Sequence, residues 1–193
     1  SKIEKLNLSF KIEQMALYDN LTGLPNRYLL YDRIESELLQ SVRYRSSFAL
    51  FYIDLDGFKE INDSLGHDAG DQLLIKVGEL LRNSVRASDT VSRIGGDELM
   101  ILISHVQSPE NCILIAEKIF KNLSHPIILD RGPVKVGASI GIVISHPDNK
   151  EDIEELMRKA DTAMYDVRDL NDLYNFTVSL GGVNYSCYLE YDS

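Results

Sequence analysis

Apolar residues along the chain fall into runs of two kinds. Phe48-Ala-Leu-Phe-Tyr-Ile53 is short and continuous, which predicts a strand buried on both faces and ending at Asp54-Leu-Asp56. Helical spacing appears in residues 1–18 (Ile3, Leu6, Phe10, and also Leu8, Ile12, Met15), in 28–45 and in the short stretch 58–65. Gly66-His-Asp-Ala-Gly-Asp71 reads as a turn leading into a helix over about 72–86. Residues 91–104 read as a hairpin turning on Gly95-Gly96, with helices over 110–123 and 151–168. A small hairpin is expected at 127–136 and a strand at 138–145; residues 173–190 look β-like but are poorly patterned. This order predicts an α/β (α+β) sandwich, its central sheet mainly antiparallel and flanked by helices, with an added small hairpin. Strands joined as hairpins argue against a doubly wound parallel sheet.

Composition narrows the class. A chain of 193 residues is one domain plus extra segments, and 44% hydrophobic with 26% charged residues excludes disordered, collagen-like and purely coiled-coil readings. The net charge of -10 argues against nucleic acid or anionic membrane as partners, both of which need a basic face. It leaves open a phosphate ligand held through a metal, because carboxylates recruit the metal first. Two cysteines, Cys112 and Cys187, are too few for a disulfide scaffold and fit a reduced, cytoplasmic setting, with Cys112 in the core. No apolar run reaches 18 residues, so no spanning helix is expected. The first residue is Ser1 and no signal peptide precedes it, so the chain is read as a fragment of a longer one. Residues 1–18 are then either a helix resting on its own domain or the end of a linker helix.

Two acidic constellations carry candidate chemistry. Asp54 and Asp56, two apart at a strand end, point the same way, and their mutual repulsion is relieved if a cation enters. The plainer alternative for Asp56 is capping of the 58–65 helix. In Gly95-Gly-Asp-Glu98 the glycines permit a tight turn and close approach of a ligand, and two acids follow; alone, this is as easily a hairpin turn with solvated acids. Together the two groups form a carboxylate cluster suited to Mg²⁺ and to in-line phosphoryl or nucleotidyl transfer. P-loop, dinucleotide-binding and zinc motifs are absent from the sequence.

The motifs, taken in order, resemble one family. Asp19-x-Leu-Thr-Gly-Leu-Pro-Asn-Arg27, Asp54-Leu-Asp-Gly-Phe-Lys59, Asn62-Asp63, Gly66-His-x-x-Gly-Asp71 and Arg93-Ile-Gly-Gly-Asp-Glu-Leu99 follow the sequence of GGDEF domains, the diguanylate cyclases. Ser139-Ile-Gly-Ile142 and Ala160-Asp-x-Ala-Met-Tyr165 continue the match, which covers roughly residues 15–170. The domain is drawn at 19–176, with a tail of unknown role at 177–193.

The resemblance implies a ferredoxin-like fold akin to the adenylyl cyclase and polymerase palm. It also implies condensation of two GTP into cyclic di-GMP, with loss of two pyrophosphates, across a homodimer. Asp54 and the Leu55 carbonyl, with Asp97 and Glu98, would hold Mg²⁺ or Mn²⁺, and Asp97 or Glu98 would help deprotonate the 3′-hydroxyl. Asn62 and Asp71 would read guanine, since a carboxylate accepts from both N1–H and the exocyclic amine. Asp71 as a helix N-cap is the competing reading. Lys59 and Arg168 would meet phosphate, and Gly95 and Gly96 would let backbone pass close to the nucleotide.

Arg86-Ala-Ser-Asp89, with Lys118, matches the family's inhibitory product site; alone, Arg-x-x-Asp is an ordinary surface ion pair. Flanking sensor or regulatory domains are implied in the full chain, whether or not it carries a membrane anchor elsewhere. The chain departs from the family pattern at Leu99, where Phe is expected, and in the tail. It also departs at Asn171-Asp172-Leu173, where Asp172 stands for a phosphate-binding Arg. That reversal raises a second reading, a catalytically silent domain that binds GTP or cyclic di-GMP and regulates a neighbour.

Overall fold

Strand β1 (Ser47–Asp56) organises the computed structural model, which describes residues 2–168, 174–180 and 183–188. Its continuous apolar run is explained by burial on both faces. Ala49, Phe51, Ile53 and Leu55 join one core cluster, while Phe48, Leu50 and Tyr52 join another. The first cluster is closed by α4 (His67–Ser84) and α5 (Pro109–Leu123), the second by α2 (Arg27–Tyr44) and α6 (Ile153–Arg168). Cys112 lies in the first cluster as expected, and burial pushes its thiol up to about 12.

The sheet runs β2-β3-β1-β6-β7-β8. Its first four strands, β2 (Thr90–Gly95), β3 (Glu98–Val106), β1 and β6 (Gly137–Ser145), are antiparallel neighbours. The mainly antiparallel, palm-like sheet flanked by helices is therefore present. The added hairpin is β4 (Ile127–Leu129) with β5 (Gly132–Val134), held to α4 where Gln72 Nε2 donates to Asp130 Oδ2 at 2.8 Å. Beyond α6, β7 (Tyr174–Leu180) lies parallel to β6, and β8 (Val183–Tyr188) returns antiparallel to it. Strand β7 runs through position 176, where the sequence reading drew the domain limit.

Two local readings change. Gly66–Asp71 is not a turn: Gly66 alone, at φ 91°, separates α3 (Phe58–Leu65) from α4, which begins at His67. Asp71 thus sits inside the helix and does not cap it. Asp56 does not cap α3 either, since Gly57 holds that position at φ 81°. Asp56 accepts from the Ser139 hydroxyl instead, at 3.0 and 3.2 Å. Helix α1 (Lys2–Leu17) forms as expected; it buries none of its residues, and Ile3, Leu6, Phe10 and Met15 are all exposed. Among the described residues no helix is long and apolar enough to cross a membrane.

Helix α6 lies directly on β6. A Cβ added at Gly141 would collide with Met164 N and the Ala160 carbonyl, so only glycine admits the helix at this spacing. Gly141→Ala is expected to cost about 1–3 kcal/mol through overpacking. Urea denaturation checks this, and an unchanged midpoint would contradict the close approach.

Candidate functional site

The register of β1 decides which acids meet. Asp54 lies opposite Glu98 on β3 and opposite Ser139 on β6. Directly opposed residues on one sheet face hold their Cβ atoms about 4.5–5.5 Å apart. Asp54 is buried, 4% exposed, and Glu98 is half-buried. The face they share is the one covered by α2 and α6, because even-numbered β1 residues point there.

Tyr52, two residues before Asp54 on that face, donates its hydroxyl to Glu98 Oε1 at 3.0 Å. Burial raises the phenol's pKa well above the ordinary tyrosine range. The Glu98 charge and hydrogen bond and the Asp161 charge raise it further, and Arg27 opposes them. The hydroxyl therefore stays protonated and is a fixed donor.

The turn carrying Asp97 is built by the neighbouring loop. Gly96 takes φ 47°, the glycine-first geometry of a two-residue hairpin, and Asp97 follows half-buried. A Cβ at Gly95 or Gly96 would meet nothing within 4 Å, so the space over the turn is open. Arg93 Nε donates to the Gly96 carbonyl at 2.9 Å, and its Nη1 reaches Asp19 Oδ1 and Oδ2 at 3.0 and 3.2 Å. Asp19 also accepts from Thr22 N at 2.8 Å and Thr22 Oγ1 at 2.6 Å. Arg93 N in turn donates to the Pro25 carbonyl at 3.0 Å. Burial alone would raise the Asp19 pKa, but the Thr22 hydrogen bonds and the Arg93 charge outweigh it and hold the carboxyl below its ordinary value.

Asp54 and Glu98 fit a divalent cation. Mg²⁺ takes hard oxygens and is commonly held by one or two carboxylates, with substrate phosphates completing the shell. Among the described residues no group of three or more His, Cys, Asp or Glu is disposed to hold an ion. The ladder places Asp54 and Glu98 together, and a site there would draw on this pair and on backbone oxygens. Leu55 buries its side chain on the opposite face and can offer its carbonyl. Asp97 stands at the turn beside the pair.

The remaining predicted residues lie on α3, α4 and beyond. Lys59 is exposed in the first turn of α3. Asn62 on α3 packs against α4 at Gly70, where any Cβ would collide with its side-chain amide. Asp71 follows, exposed on α4. Arg168 ends α6, and Asn171-Asp172-Leu173 lies outside the described residues.

Arg86, Asp89 and Lys118 come together around a cavity of about 360 Å³, with Ser84, Asn111 and Leu114. The Asp89 and Lys118 side chains also have structural tasks. Asp89 accepts from Arg86 N at 2.9 Å and Ser104 N at 3.2 Å, while Lys118 Nζ donates to the Asn83 and Ser84 carbonyls at 3.2 Å each, at the end of α4. Sequence reasoning assigned no role to Tyr52, Gly70 or Arg93. A tyrosine at the same-face position two before a strand-end acid is the signal that points to the first.

An antiparallel four-strand sheet with two helices on each face, and acids opposed at adjacent strand ends, defines the class of palm-like α/β domains. Within it, the chain belongs to the GGDEF family: the profile described as "Diguanylate cyclase, GGDEF domain" matches residues 16–172. It is 47% identical over 156 residues, 81% of its length, to the bifunctional diguanylate cyclase/cyclic di-GMP phosphodiesterase MucR of Pseudomonas aeruginosa, and spans 22% of MucR. It is 41% identical over 155 residues, 80% of its length, to the cyclic di-GMP phosphodiesterase NbdA of the same species, and spans 19% of it. The solved GGDEF domain of TpbB (YfiN) from Pseudomonas aeruginosa superposes with a TM-score of 0.73 at 38% identity, covering 77% of this chain and 86% of that one.

The Asp19 contacts yield a test. Its folded pKa is depressed, so its contribution is complete above the ordinary carboxylate range and is lost as pH falls through the folded value. Asp19→Asn is expected to cost roughly 1–3 kcal/mol at pH 7 and less at pH 3. Urea denaturation at both pH values measures this; an equal cost at both would contradict the anchoring role.

Proposed function

We propose that this domain is a diguanylate cyclase, joining two GTP into cyclic di-GMP with release of two pyrophosphates. The observation that carries the reading is Asp54 opposite Glu98 across the β1–β3 ladder. Asp54, Glu98 and the Leu55 carbonyl would hold Mg²⁺ or Mn²⁺, which when bound neutralises phosphate charge and polarises the α-phosphate. Asp97 would take the proton of the 3′-hydroxyl. The hydroxyl oxygen bonds to the α-phosphorus as the bond to the leaving pyrophosphate breaks. Asn62, fixed by its packing on Gly70, and Asp71 would hold the guanine edge, with Lys59 and Arg168 toward the phosphates. Each site would supply one nucleotide and attack the other, so catalysis needs a homodimer, and the exposed apolar side chains of α1 are suited to pairing two copies. Arg86, Asp89 and Lys118 would take the product for feedback inhibition. GTP as substrate implies a cytoplasmic setting and, in the whole protein, flanking sensor or regulatory domains.

A second reading rests on Asp172, which puts a negative charge where the family carries a phosphate-binding Arg. In it the domain binds GTP or cyclic di-GMP without turnover.

The deciding assay is cyclic di-GMP formation from GTP and Mg²⁺ by the wild type, by Glu98→Gln and by Asp172→Arg. Turnover is expected in the wild type, a loss on the order of 10²-fold or more in Glu98→Gln, and an approximately tenfold lower KM in Asp172→Arg. GTP binding without product in both the wild type and Asp172→Arg would overturn the cyclase reading in favour of the silent domain.

A further inference from the structure

Glu98 is the first residue of β3, immediately after the Gly96–Asp97 turn, and its side chain is long and only half-buried. Directly across the ladder stands Asp54, and like charges so opposed repel. Left to itself, the Glu98 carboxylate would swing toward solvent. What opposes this is Tyr52. Tyr52 is 8% exposed and packs in the cluster that includes Leu30, Met100 and Ala160. It sits diagonally from Glu98 on the shared face, within reach of an aromatic side chain. Its hydroxyl meets Glu98 Oε1 at 3.0 Å.

The core does not require that hydroxyl. A phenylalanine would fill the same volume, and a buried hydroxyl carries a desolvation cost unless it is bonded. Bonded to Oε1, it holds the carboxylate to the sheet and leaves Oε2 for a ligand. Asp56 is tethered the same way on the other side, by the Ser139 hydroxyl.

We propose that Tyr52 is a positioning residue for nucleotidyl transfer, its hydroxyl orienting Glu98 beside Asp54 so that the pair presents a preformed divalent-cation site. The inference rests on the reading of Asp54 and Glu98 as the cation-holding pair. Partners that orient metal-binding side chains contribute on the order of 10–100-fold in metal affinity.

The test titrates the 193-residue chain with Mn²⁺ in the presence of the non-reactive analogue guanosine 5′-[α,β-methylene]triphosphate, read by electron paramagnetic resonance. Tyr52→Phe is expected to bind Mn²⁺ about tenfold more weakly, with its thermal midpoint within about 4 °C of the wild type. In a Glu98→Gln background the same change should cause no further loss, because the tyrosine acts through that carboxylate. Unchanged Mn²⁺ affinity in Tyr52→Phe, with Glu98→Gln impaired, would overturn the role of Tyr52 alone. An equal loss in the Glu98→Gln background, or failure of Tyr52→Phe to fold, would also overturn it by assigning the hydroxyl to the core. A wild type that binds no Mn²⁺ would overturn the cation site and this inference with it.

Discussion

The pairing register of β1 with β3 is the constraint on which the site depends. Because side chains alternate along a strand, a slip of one residue would send Asp54 to the α4–α5 face and bury it in hydrocarbon. The native register is enforced by the apolar residues themselves. Phe51 and Ile53 must face one cluster, and Leu50 and Tyr52 the other. The core thus sets two carboxylates side by side, an arrangement of like charges that a cation would favour. Gly141 matters to the same geometry, since it lets α6 close over the face on which these acids stand.

A second set of contacts holds the turn in place from outside the sheet. Asp19, in the loop between α1 and α2, grips Arg93, and Arg93 grips the Gly96 carbonyl. The Gly96–Asp97 turn is therefore tied to the segment that follows the N-terminal helix. The Thr22 hydrogen bonds first, and the Arg93 charge after them, hold the Asp19 carboxyl below its ordinary value.

Much of this was legible in the chain. The continuous run at 48–53 reported burial on both faces, and the glycine pair before two acids reported a hairpin, because each pattern follows directly from strand geometry. The family resemblance rested on multi-residue motifs and was confirmed over residues 16–172. Other features were hidden for physical reasons. Two glycines and two aspartates made Gly66–Asp71 look like a turn, yet α4 takes five of those six residues because its packing on α3 outweighs their weak helix propensity. Asp56 had the chemistry of a cap, but a hydroxyl on a distant strand, Ser139, claimed it. The link between Tyr52 and Glu98 spans 46 positions and exists only once the register is known. Arg86 and Asp89 were legible as a motif, whereas the backbone amides that hold Asp89 were not.

The central claim is that Asp54 and Glu98 together receive a divalent cation. Its most direct test is a crystal structure with Mn²⁺ and a non-reactive GTP analogue, the ion located by anomalous scattering. The account requires the peak between the Asp54 and Glu98 carboxylates, within about 2.5 Å of an oxygen of each. A nucleotide bound with its ion on other residues, and these two carboxylates turned apart, would contradict it.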